Sequence, residues 1–363
     1  MLSGAIRFPL PLSSALQGFR ATGATPASLL NSTDTMFDSL FQLAVAETFL
    51  QPTGPIARAQ LDHLNYVVIL TCIAIVPALI ALPLILWRYR RSNRKAKYRP
   101  NWDSNIPLEI AMWGLPIVVI VLMAFSLWSI TQRLDPYEEL GQDPLEIKVI
   151  GLDWKWVFLY PDEKVAFVDE LIVPVGRPVE LEMTSDTVMQ SLRISALVGQ
   201  IYAMPAMTTK LNFIAADVGE ARGMNTQFTG LGMWRQKFLV HSVPADEYQK
   251  RIEEARQSPI SLNEETYAIL AQQGTAAEAK TPLGLTVLQG PAETQGTATV
   301  VAERDVPVGE GIAMRLPEPK IFDRVLARYK SGVPMTPETQ PGSPSYDPAK
   351  ASLPPLTAVR MEM

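Results

Sequence analysis

Two long apolar segments constrain the fold of this chain more than any other feature of its sequence. They cover residues 64–87 and 106–130 and are almost free of charge. Roughly 20 helical residues, at about 1.5 Å per residue, are enough to cross a hydrocarbon core. A buried hairpin in a soluble protein is the alternative, but such helices average about 11 residues and usually keep a polar face. We therefore predict a transmembrane helical hairpin over residues 61–131.

The loop between the two segments, residues 88–105, predicts the orientation of the hairpin. It has no acidic residue before Asp103, and its basic residues are Arg88, Arg90, Arg91, Arg94, Lys95, Lys97 and Arg99. Short loops rich in Lys and Arg stay in the cytoplasm. We therefore expect both termini, and the region that follows the hairpin, on the opposite side of the membrane.

Composition excludes several classes of function. The net charge of −5 offers no basic surface of the kind that nucleic-acid-binding proteins need. The only cysteine in the chain, Cys72, lies within the first apolar segment. The chain therefore has no intrachain disulfide and no metal site made of cysteines alone.

The N-terminal segment, residues 1–60, is rich in Ser, Thr, Ala and Leu. Small residues at Ala44, Ala46 and 57–59 are compatible with a cleaved signal peptide, but the first residues lack its charged and then apolar order. A start codon assigned too early is another explanation. We expect this segment to be a signal sequence or disordered.

A strand-rich region follows a linker at residues 131–144. Short runs rich in Val, Ile, Leu and Phe recur there at intervals of about 8–12 residues, separated by turn signals. The runs are 145–151, 155–160, 165–173, 179–184, 191–195, 208–215 and 236–242. This spacing is typical of a sandwich or barrel. We predict an all-β domain over residues 145–243.

The rest of the chain favours a helical extension over residues 244–330. Helix signals occur at 245–257, 263–272 and 318–330, the first with Pro and acidic residues at its start. The segment that follows, residues 331–363, is rich in Pro. We expect it to be a disordered tail, because it has little apolar surface to bury.

An aromatic run at the start of the β domain carries a family resemblance. Residues 152–160 read Leu-Asp-Trp-Lys-Trp-Val-Phe-Leu-Tyr. Further features accompany it: residues 98–102, Glu109 with Trp113 in the second apolar segment, and residues 185–190 followed by 200–204. In combination with the hairpin these features resemble subunit II of the haem-copper respiratory oxidases. They are most similar to cytochrome bo-type ubiquinol oxidases, over roughly residues 51–259.

The resemblance implies a cupredoxin fold, and it raises the question of a copper centre. Relatives that oxidise cytochrome c hold copper with thiolates, imidazoles and a thioether, which are donors that suit copper. An ungapped comparison puts Gly232 and Gln236 at the two cysteines and Gln190 at the earlier histidine. It puts Val240 and Val243 at the later histidine and the methionine. The chain is therefore similar to the copper-less branch, and we expect it to bind no metal and no other cofactor.

The resemblance also implies a complex. The haems and the oxygen-binding copper are expected in a large partner subunit I, accompanied by further small membrane subunits and lipid. Ubiquinol would be the substrate of the complex, without cytochrome c, in a bacterial inner membrane with both termini and the β domain periplasmic. The chain would be a structural and assembly subunit of a proton-pumping ubiquinol oxidase that reduces oxygen to water. The alternative is a membrane-tethered cupredoxin-like binding or assembly module outside any oxidase.

Glu109 is a candidate for proton uptake. Ionisable groups near hydrocarbon are costly and usually functional. The resemblance places a matching Glu, ahead of the position of Trp113, at the mouth of a proton channel in the large subunit. A second interpretation is that Glu109, with Asp103, only marks the helix start, where negative charge stabilises the helix dipole by about 0.3–1 kcal/mol.

Other side chains have both a functional and a packing interpretation. Trp154 resembles the aromatic residue at which electrons arrive in the cytochrome c-linked relatives, but without copper we expect it to pack. His63 and His241, the only histidines, are expected to be structural because neither has a second metal ligand nearby in sequence. A group of methionines could hold Cu(I) or fill the core: Met183, Met189, Met204, Met207, Met224 and Met233.

Overall fold

A computed structural model of the protein describes residues 49–95, 104–285, 311–330 and 334–355. Two long helices form the predicted hairpin: α1 (Pro55–Arg88) and α2 (Ile106–Arg133). Both are long and apolar enough to cross a membrane. Few of their residues are buried, and large apolar side chains such as Leu79 (64% exposed) and Trp113 (69% exposed) face outward. An apolar surface of this kind is stable in lipid and not in water, so the hairpin is the membrane anchor.

The first helix begins earlier than predicted, because its start is tied to the β domain. The amide of Thr53 donates to the carbonyl of Ala196 (2.7 Å), and the amide of Ala216 donates to the carbonyl of Thr53 (2.9 Å). Gly54 follows, and a Cβ there would lie 2.9 Å from the carbonyl oxygen of Ile214. The helix then starts at Pro55, whose missing N–H costs nothing at that position.

The predicted boundary at residue 60 is therefore wrong for residues 49–60, which dock on the β domain and open α1. A cleavage at residues 57–59 would cut this helix. The rest of the predicted signal or disordered segment, residues 1–48, lies outside the described residues.

The described residues form eleven strands, numbered in chain order. They are β1 (Leu145–Leu152), β2 (Lys155–Tyr160), β3 (Val165–Val168), β4 (Glu170–Pro174), β5 (Pro178–Ser185), β6 (Gln190–Ile194), β7 (Val198–Ala203), β8 (Thr209–Ile214), β9 (Gly219–Asn225), β10 (Lys237–Val243) and β11 (Ile312–Arg315). One sheet has the order β11-β3-β2-β1-β5-β8 and the other β4-β10-β9-β6-β7. The predicted all-β sandwich is confirmed, with the strands near their expected positions.

One predicted strand, residues 165–173, is in fact two strands in different sheets. The chain passes between the sheets at Asp169, whose φ of 55° is left-handed. The Asp169 carboxylate accepts a hydrogen bond from the amide of Trp156 (2.7 Å), which fixes the switch. A continuous apolar run does not reveal such a break, because both halves are buried.

The C-terminal extension is part of the same fold. It contributes α3 (Ala245–Arg256), α4 (Glu264–Leu270), α5 (Ala276–Lys280) and α6 (Ile321–Lys330), and β11 adds to the edge of the first sheet beside β3. The first sheet therefore has two cores. Its inner face packs on the second sheet. Its outer face packs on the extension through residues such as Val157, Leu159 and Phe322. All six residues of β2 are buried for this reason.

The predicted disorder of residues 331–363 is wrong for residues 334–355. Leu353 is only 4% exposed and belongs to the outer core. The guanidinium of Arg324 donates to the carbonyl of Leu353 (2.7 Å), and the amide of Gly342 donates to the carbonyl of Ala271 (3.3 Å). A few tertiary contacts therefore order a segment that is poor in apolar residues. The remainder of the predicted tail, 331–333 and 356–363, lies outside the described residues.

Candidate functional site at the loop end of the sandwich

The structure brings together two of the positions that the resemblance assigns to copper donors. Gln190 begins β6, and Gln236 directly precedes β10. The side-chain amide of Gln236 donates to the Oε1 atom of Gln190 (2.7 Å), and both residues are fully buried. The pocket that they share lies where β1, β5, β9 and β10 meet their loops.

A closed set of neutral hydrogen bonds fills this pocket. The Nε2 atoms of Gln190 and Gln236 both donate to the carbonyl of Leu152 (3.0 and 3.2 Å). Gln190 also donates to the hydroxyl of Thr187 (3.0 Å). Asn225 donates to the Oε1 atom of Gln236 (2.9 Å) and accepts from the amide of Ser191 (3.0 Å). We refer to Gln190, Gln236 and Asn225 as the glutamine cluster.

Asn225 is a member of the cluster that sequence reasoning missed. It ends β9, whose sequence Gly-Glu-Ala-Arg-Gly-Met-Asn has little strand propensity. The strand forms because it pairs with β10 on one side and β6 on the other.

Gly232 has a packing role in this region. A Cβ at this residue would lie 2.1 Å from the Trp154 ring, so the backbone serves as a platform for the indole. Trp154 has a φ of 131°, donates from Nε1 to the carbonyl of Thr229 (3.3 Å), and carries the Arg235 guanidinium over its ring at 5.7 Å. A cysteine at position 232 would displace the ring.

Val240 and Val243 do not reach the pocket. Both are buried within β10, in the core between the sheets. At about 3.3 Å per strand residue they lie roughly 13 and 23 Å along the strand from Gln236. In this chain the positions that the ungapped comparison assigns after Gln236 are therefore spread along one strand and do not meet at the pocket.

The residues of the pocket do not fit copper. Copper needs thiolate, imidazole or thioether donors, and the glutamine cluster offers amides already engaged in hydrogen bonds. Across the part of the chain that the structure describes, no three His, Cys, Asp or Glu side chains are placed to hold a metal ion. Cys72 lies on α1. Of the methionines, Met183 is buried in the inner core, whereas Met189 and Met207 are exposed on loops.

A second polar group, next to the glutamine cluster in sequence, joins the sandwich to the extension. The Oδ2 atom of Asp186 accepts from the hydroxyl of Tyr267 (2.6 Å) and the guanidinium of Arg328 (2.7 Å). The side chain of Asp186 is fully buried, and that of Arg328 is 7% exposed. We call Asp186, Tyr267 and Arg328 the ionic anchor. Sequence reasoning missed it because two of its members lie in the extension.

Lys155 and Asp169 form a third buried group. The Lys155 ammonium donates to the carbonyl of Gln272 (2.7 Å), just beyond the C-terminal end of α4, where positive charge is favourable. Burial lowers the pKa of Lys155 to about 8, although Asp169 opposes the change. Burial likewise raises the pKa of Asp169 to about 7, although the amide of Trp156 and the charge of Lys155 oppose it.

The remaining candidates lie elsewhere. Glu109 is exposed in the first turn of α2, where its Oε1 accepts from the amide of Asn105 (3.1 Å). The Asn105 side chain accepts in turn from the amide of Leu108 (3.3 Å), so the two side chains cap the helix reciprocally. His63 lies 3.2 Å from the hydroxyl of Ser126 across the hairpin. His241 lies between two carboxylates on the outer face of the second sheet. Asp103 is outside the described residues.

Comparison with known proteins gives consistent matches. No family model matches the chain. It is 37% identical over 227 residues to cytochrome bo(3) ubiquinol oxidase subunit 2 of Pseudomonas putida, and the aligned region covers 62% of this chain and 72% of that protein. It is 34% identical over 226 residues to ubiquinol oxidase subunit 2 of Acetobacter aceti, which covers 61% and 74%.

A solved structure also matches. It is the periplasmic domain of cytochrome oxidase subunit II from Bradyrhizobium japonicum, which is 22% identical and covers 32% of this chain and 95% of its own. Its TM-score of 0.31 is too low to support any statement about this chain.

Proposed function

Because this chain belongs to the family of ubiquinol oxidase subunit 2, we propose that it is a subunit that carries no redox centre of its own. Catalysis belongs to the complex. The haems and the oxygen-binding copper lie on a large partner subunit, and ubiquinol supplies the electrons. This chain stabilises that partner and covers its outer face. The observation that carries the proposal is the glutamine cluster, in which neutral amides occupy the positions of copper donors.

The surroundings of the cluster support a structural role. The amides are satisfied by one another and by the backbone, so the pocket is a rigid part of the core. Trp154 packs on Gly232 beside it. The pocket beside this ring offers amides and none of the donors that suit copper, so we propose no cytochrome c docking site on this chain.

The arrangement of charge supports the proposed topology. The basic loop and the sandwich lie at opposite ends of the hairpin, since α1 is tied to the sandwich at Thr53 and ends at Arg88. A cytoplasmic loop then places the sandwich in the periplasm of a bacterial inner membrane.

Purification of the native complex through a tag on this chain tests the proposal. We expect haem absorption bands in stoichiometric amount with the chain. A colourless protein that purifies alone from membranes would instead support a tethered binding or assembly module outside any oxidase.

Copper loading tests the absence of a redox centre directly. The full chain, purified without partner subunits and incubated with Cu(II) and reductant, is expected to retain much less than one copper per chain after gel filtration. Elemental analysis measures this. Two tightly held copper ions per chain would overturn the proposal.

We further propose that Glu109 collects protons from the cytoplasm for the partner subunit. Its carboxylate caps α2 with one oxygen and is exposed at the end of the hairpin that carries the basic loop. Capping and proton uptake are compatible, because the capping hydrogen bond uses only the Oε1 atom of the Glu109 carboxylate and leaves the other oxygen free to bind a proton. The capping geometry alone also explains the residue, so the proposal depends on a kinetic test.

Glu109→Gln separates the two roles, because Gln keeps an oxygen to accept from Asn105 but cannot titrate. We expect slower turnover under conditions where proton uptake limits the rate, with haem content unchanged. Asp103→Asn, the matched control, should leave turnover nearly unchanged. Wild-type turnover in Glu109→Gln would leave the residue with the capping role only.

A further inference from the structure

Two methionines lie opposite each other where β6 begins and β7 ends. These strands pair in an antiparallel ladder that places Gln190 opposite Ala203, and both of these residues are buried. One step further along the same register, Met189 is opposite Met204. Successive side chains of a strand point to opposite faces, so both methionines leave the sandwich on the side away from the glutamine cluster. The Cβ atoms of directly opposite residues are about 4.5–5.5 Å apart.

A tight turn brings a third methionine to the same place. The amide of Met207 donates to the carbonyl of Met204 (3.3 Å). Pro205 and Ala206 lie between them, and Ala206 has a left-handed φ of 64°. Proline followed by a left-handed residue is typical of a type II turn, in which the first and last Cα atoms are less than about 7 Å apart. A left-handed residue other than glycine costs about 1–3 kcal/mol, so the fold keeps this turn in spite of strain.

The three side chains are accessible. Met207 is 53% exposed, Met189 is 40% exposed and Met204 is half-buried. Methionine is usually buried, and a group of exposed apolar side chains usually marks a binding site. Each side chain has three rotatable bonds, so backbone separations of this size allow the three sulfurs to reach one point. None of these residues has a role in the function proposed above.

The chemistry of three thioethers selects the ligand. Thioether sulfur is a soft and neutral donor, and among biological metal ions it suits Cu(I). The other methionines of the sandwich differ in position. Met183 is buried in the inner core, which it fills. Met224 is opposite Arg193, roughly 13 Å along β6 from Met189.

We propose that Met189, Met204 and Met207 bind one Cu(I) ion reversibly. The site lies on the opposite side of β6 from the glutamine cluster, so it is separate from the pocket that does not fit copper. Its donors carry no charge and are open to solvent, so the ion exchanges and is lost on gel filtration. It is therefore not a redox centre of the kind that the copper-loading test above addresses. The expectation of no bound metal applies to the pocket and not to this end of the two strands. The proposal is independent of the oxidase function.

Equilibrium dialysis of the full chain in detergent measures this binding. The chain carries Cys72→Ser, so that its only thiol takes no part, and Cu(I) is kept in solution with acetonitrile under anaerobic conditions. We expect a first, saturable site of one ion per chain. Met204→Leu conserves volume and removes the sulfur. It should raise the Kd at least about tenfold, because loss of a group that only orients a metal ligand already costs about 10–100-fold in affinity. Met224→Leu is the matched control and should bind like its parent.

A rescue variant separates coordination from packing. Met207→Leu should weaken binding as Met204→Leu does. Met207→His restores a donor that suits copper and should bind at least as tightly as the parent chain. A purely structural role of this exposed residue would not favour His over Leu.

Protection by Ag(I) gives a readout at single residues. Ag(I) binds thioethers as Cu(I) does and is not oxidised by hydrogen peroxide. It should slow the oxidation of Met189, Met204 and Met207 to sulfoxides, measured by mass spectrometry of peptides. Met224, which is half-buried like Met204, should be oxidised at the same rate with and without Ag(I).

Three results would overturn the proposal. The first is the absence of saturable Cu(I) binding in the Cys72→Ser chain. The second is an equal Kd for Met204→Leu and Met224→Leu. The third is equal protection of Met204 and Met224 by Ag(I), which would show that the ion binds methionines without preference for this site.

Discussion

The glutamine cluster and the ionic anchor are neighbours that solve the same problem in different ways. Thr187, a hydrogen-bond partner of Gln190, directly follows Asp186 of the anchor. The cluster is neutral, and all its partners come from the sandwich. The anchor holds a buried charge pair, and its partners Tyr267 and Arg328 lie 81 and 142 residues after Asp186. Buried polar groups can thus be satisfied within one domain or by a segment added later in the chain.

The glutamine cluster and the ionic anchor differ in the free energy of unfolding that is lost when one member is removed. Loss of one neutral amide leaves unpaired donors and acceptors, at a cost of about 1–3 kcal/mol. Loss of one member of a buried ion pair leaves a buried charge, at a cost of about 3–5 kcal/mol. The anchor therefore makes the sandwich dependent on its extension, whereas the cluster stabilises the sandwich alone.

Removal of the extension should have the largest effect, because it tests whether the sandwich depends on that segment. A fragment of residues 145–259 would lose the partners of Asp186 and expose the outer face of the first sheet, namely Ile150, Leu152, Val157, Leu159, Ala166 and Val168. We expect this fragment to aggregate, because burial of each of the larger side chains in this set is worth about 1.5–3 kcal/mol. A fragment of residues 145–355 is the control and should be soluble and resistant to protease. A monomeric, protease-resistant 145–259 fragment would show that the sandwich does not need the extension.

A single substitution in the anchor is the next largest test. Arg328→Met keeps most of the side-chain volume and should destabilise the chain by about 3–5 kcal/mol in urea unfolding. Arg256→Met, in an exposed ion pair with Glu163, is the control and should cost less than about 1 kcal/mol. Addition of Asp186→Asn to Arg328→Met should recover part of the loss, since it removes the unpaired charge. No difference between the two arginine variants would mean that the anchor contributes little.

The smallest expected effect comes from a substitution in the neutral glutamine cluster. Gln236→Leu removes one hydrogen-bond partner from Gln190 and one from Asn225, and it should cost about 1–3 kcal/mol. Gln257→Leu, at the exposed end of α3, should be nearly neutral. Urea unfolding measures both. If Gln236→Leu costs as much as Arg328→Met, the distinction between neutral and charged clusters does not hold.

Sequence reasoning predicted the parts of the fold that depend on local pattern. The hairpin follows from apolar length, and most strands follow from runs of β-branched and aromatic residues. The positions of Gln190 and Gln236 followed from a family resemblance. Asn225 and Arg328 did not, because a buried polar residue is identified by its partner, and their partners lie in other strands or in the extension.

What sequence reasoning did not predict has equally physical causes. An alignment does not contain the distance between Val240 and Gln236, which follows from the rise along β10. Residues 334–355 have the composition of a disordered tail, but Leu353 and the backbone contact of Gly342 hold them in place. Composition reflects the average tendency of a segment to be ordered, and it does not reveal the few tertiary contacts that hold the segment in place.

The contact between Thr53 and the sandwich sets an order of events during biogenesis. Thr53 precedes the first membrane helix, yet its partner Ala196 lies 143 residues further along the chain. The ribosome therefore releases Thr53 long before its partner exists, and the contact must wait until the strands up to Ala216 have been synthesised and paired. The first membrane helix is therefore synthesised early, but its start is bound to the sandwich late. Closure of this contact marks the moment at which the domain and its membrane anchor become one unit.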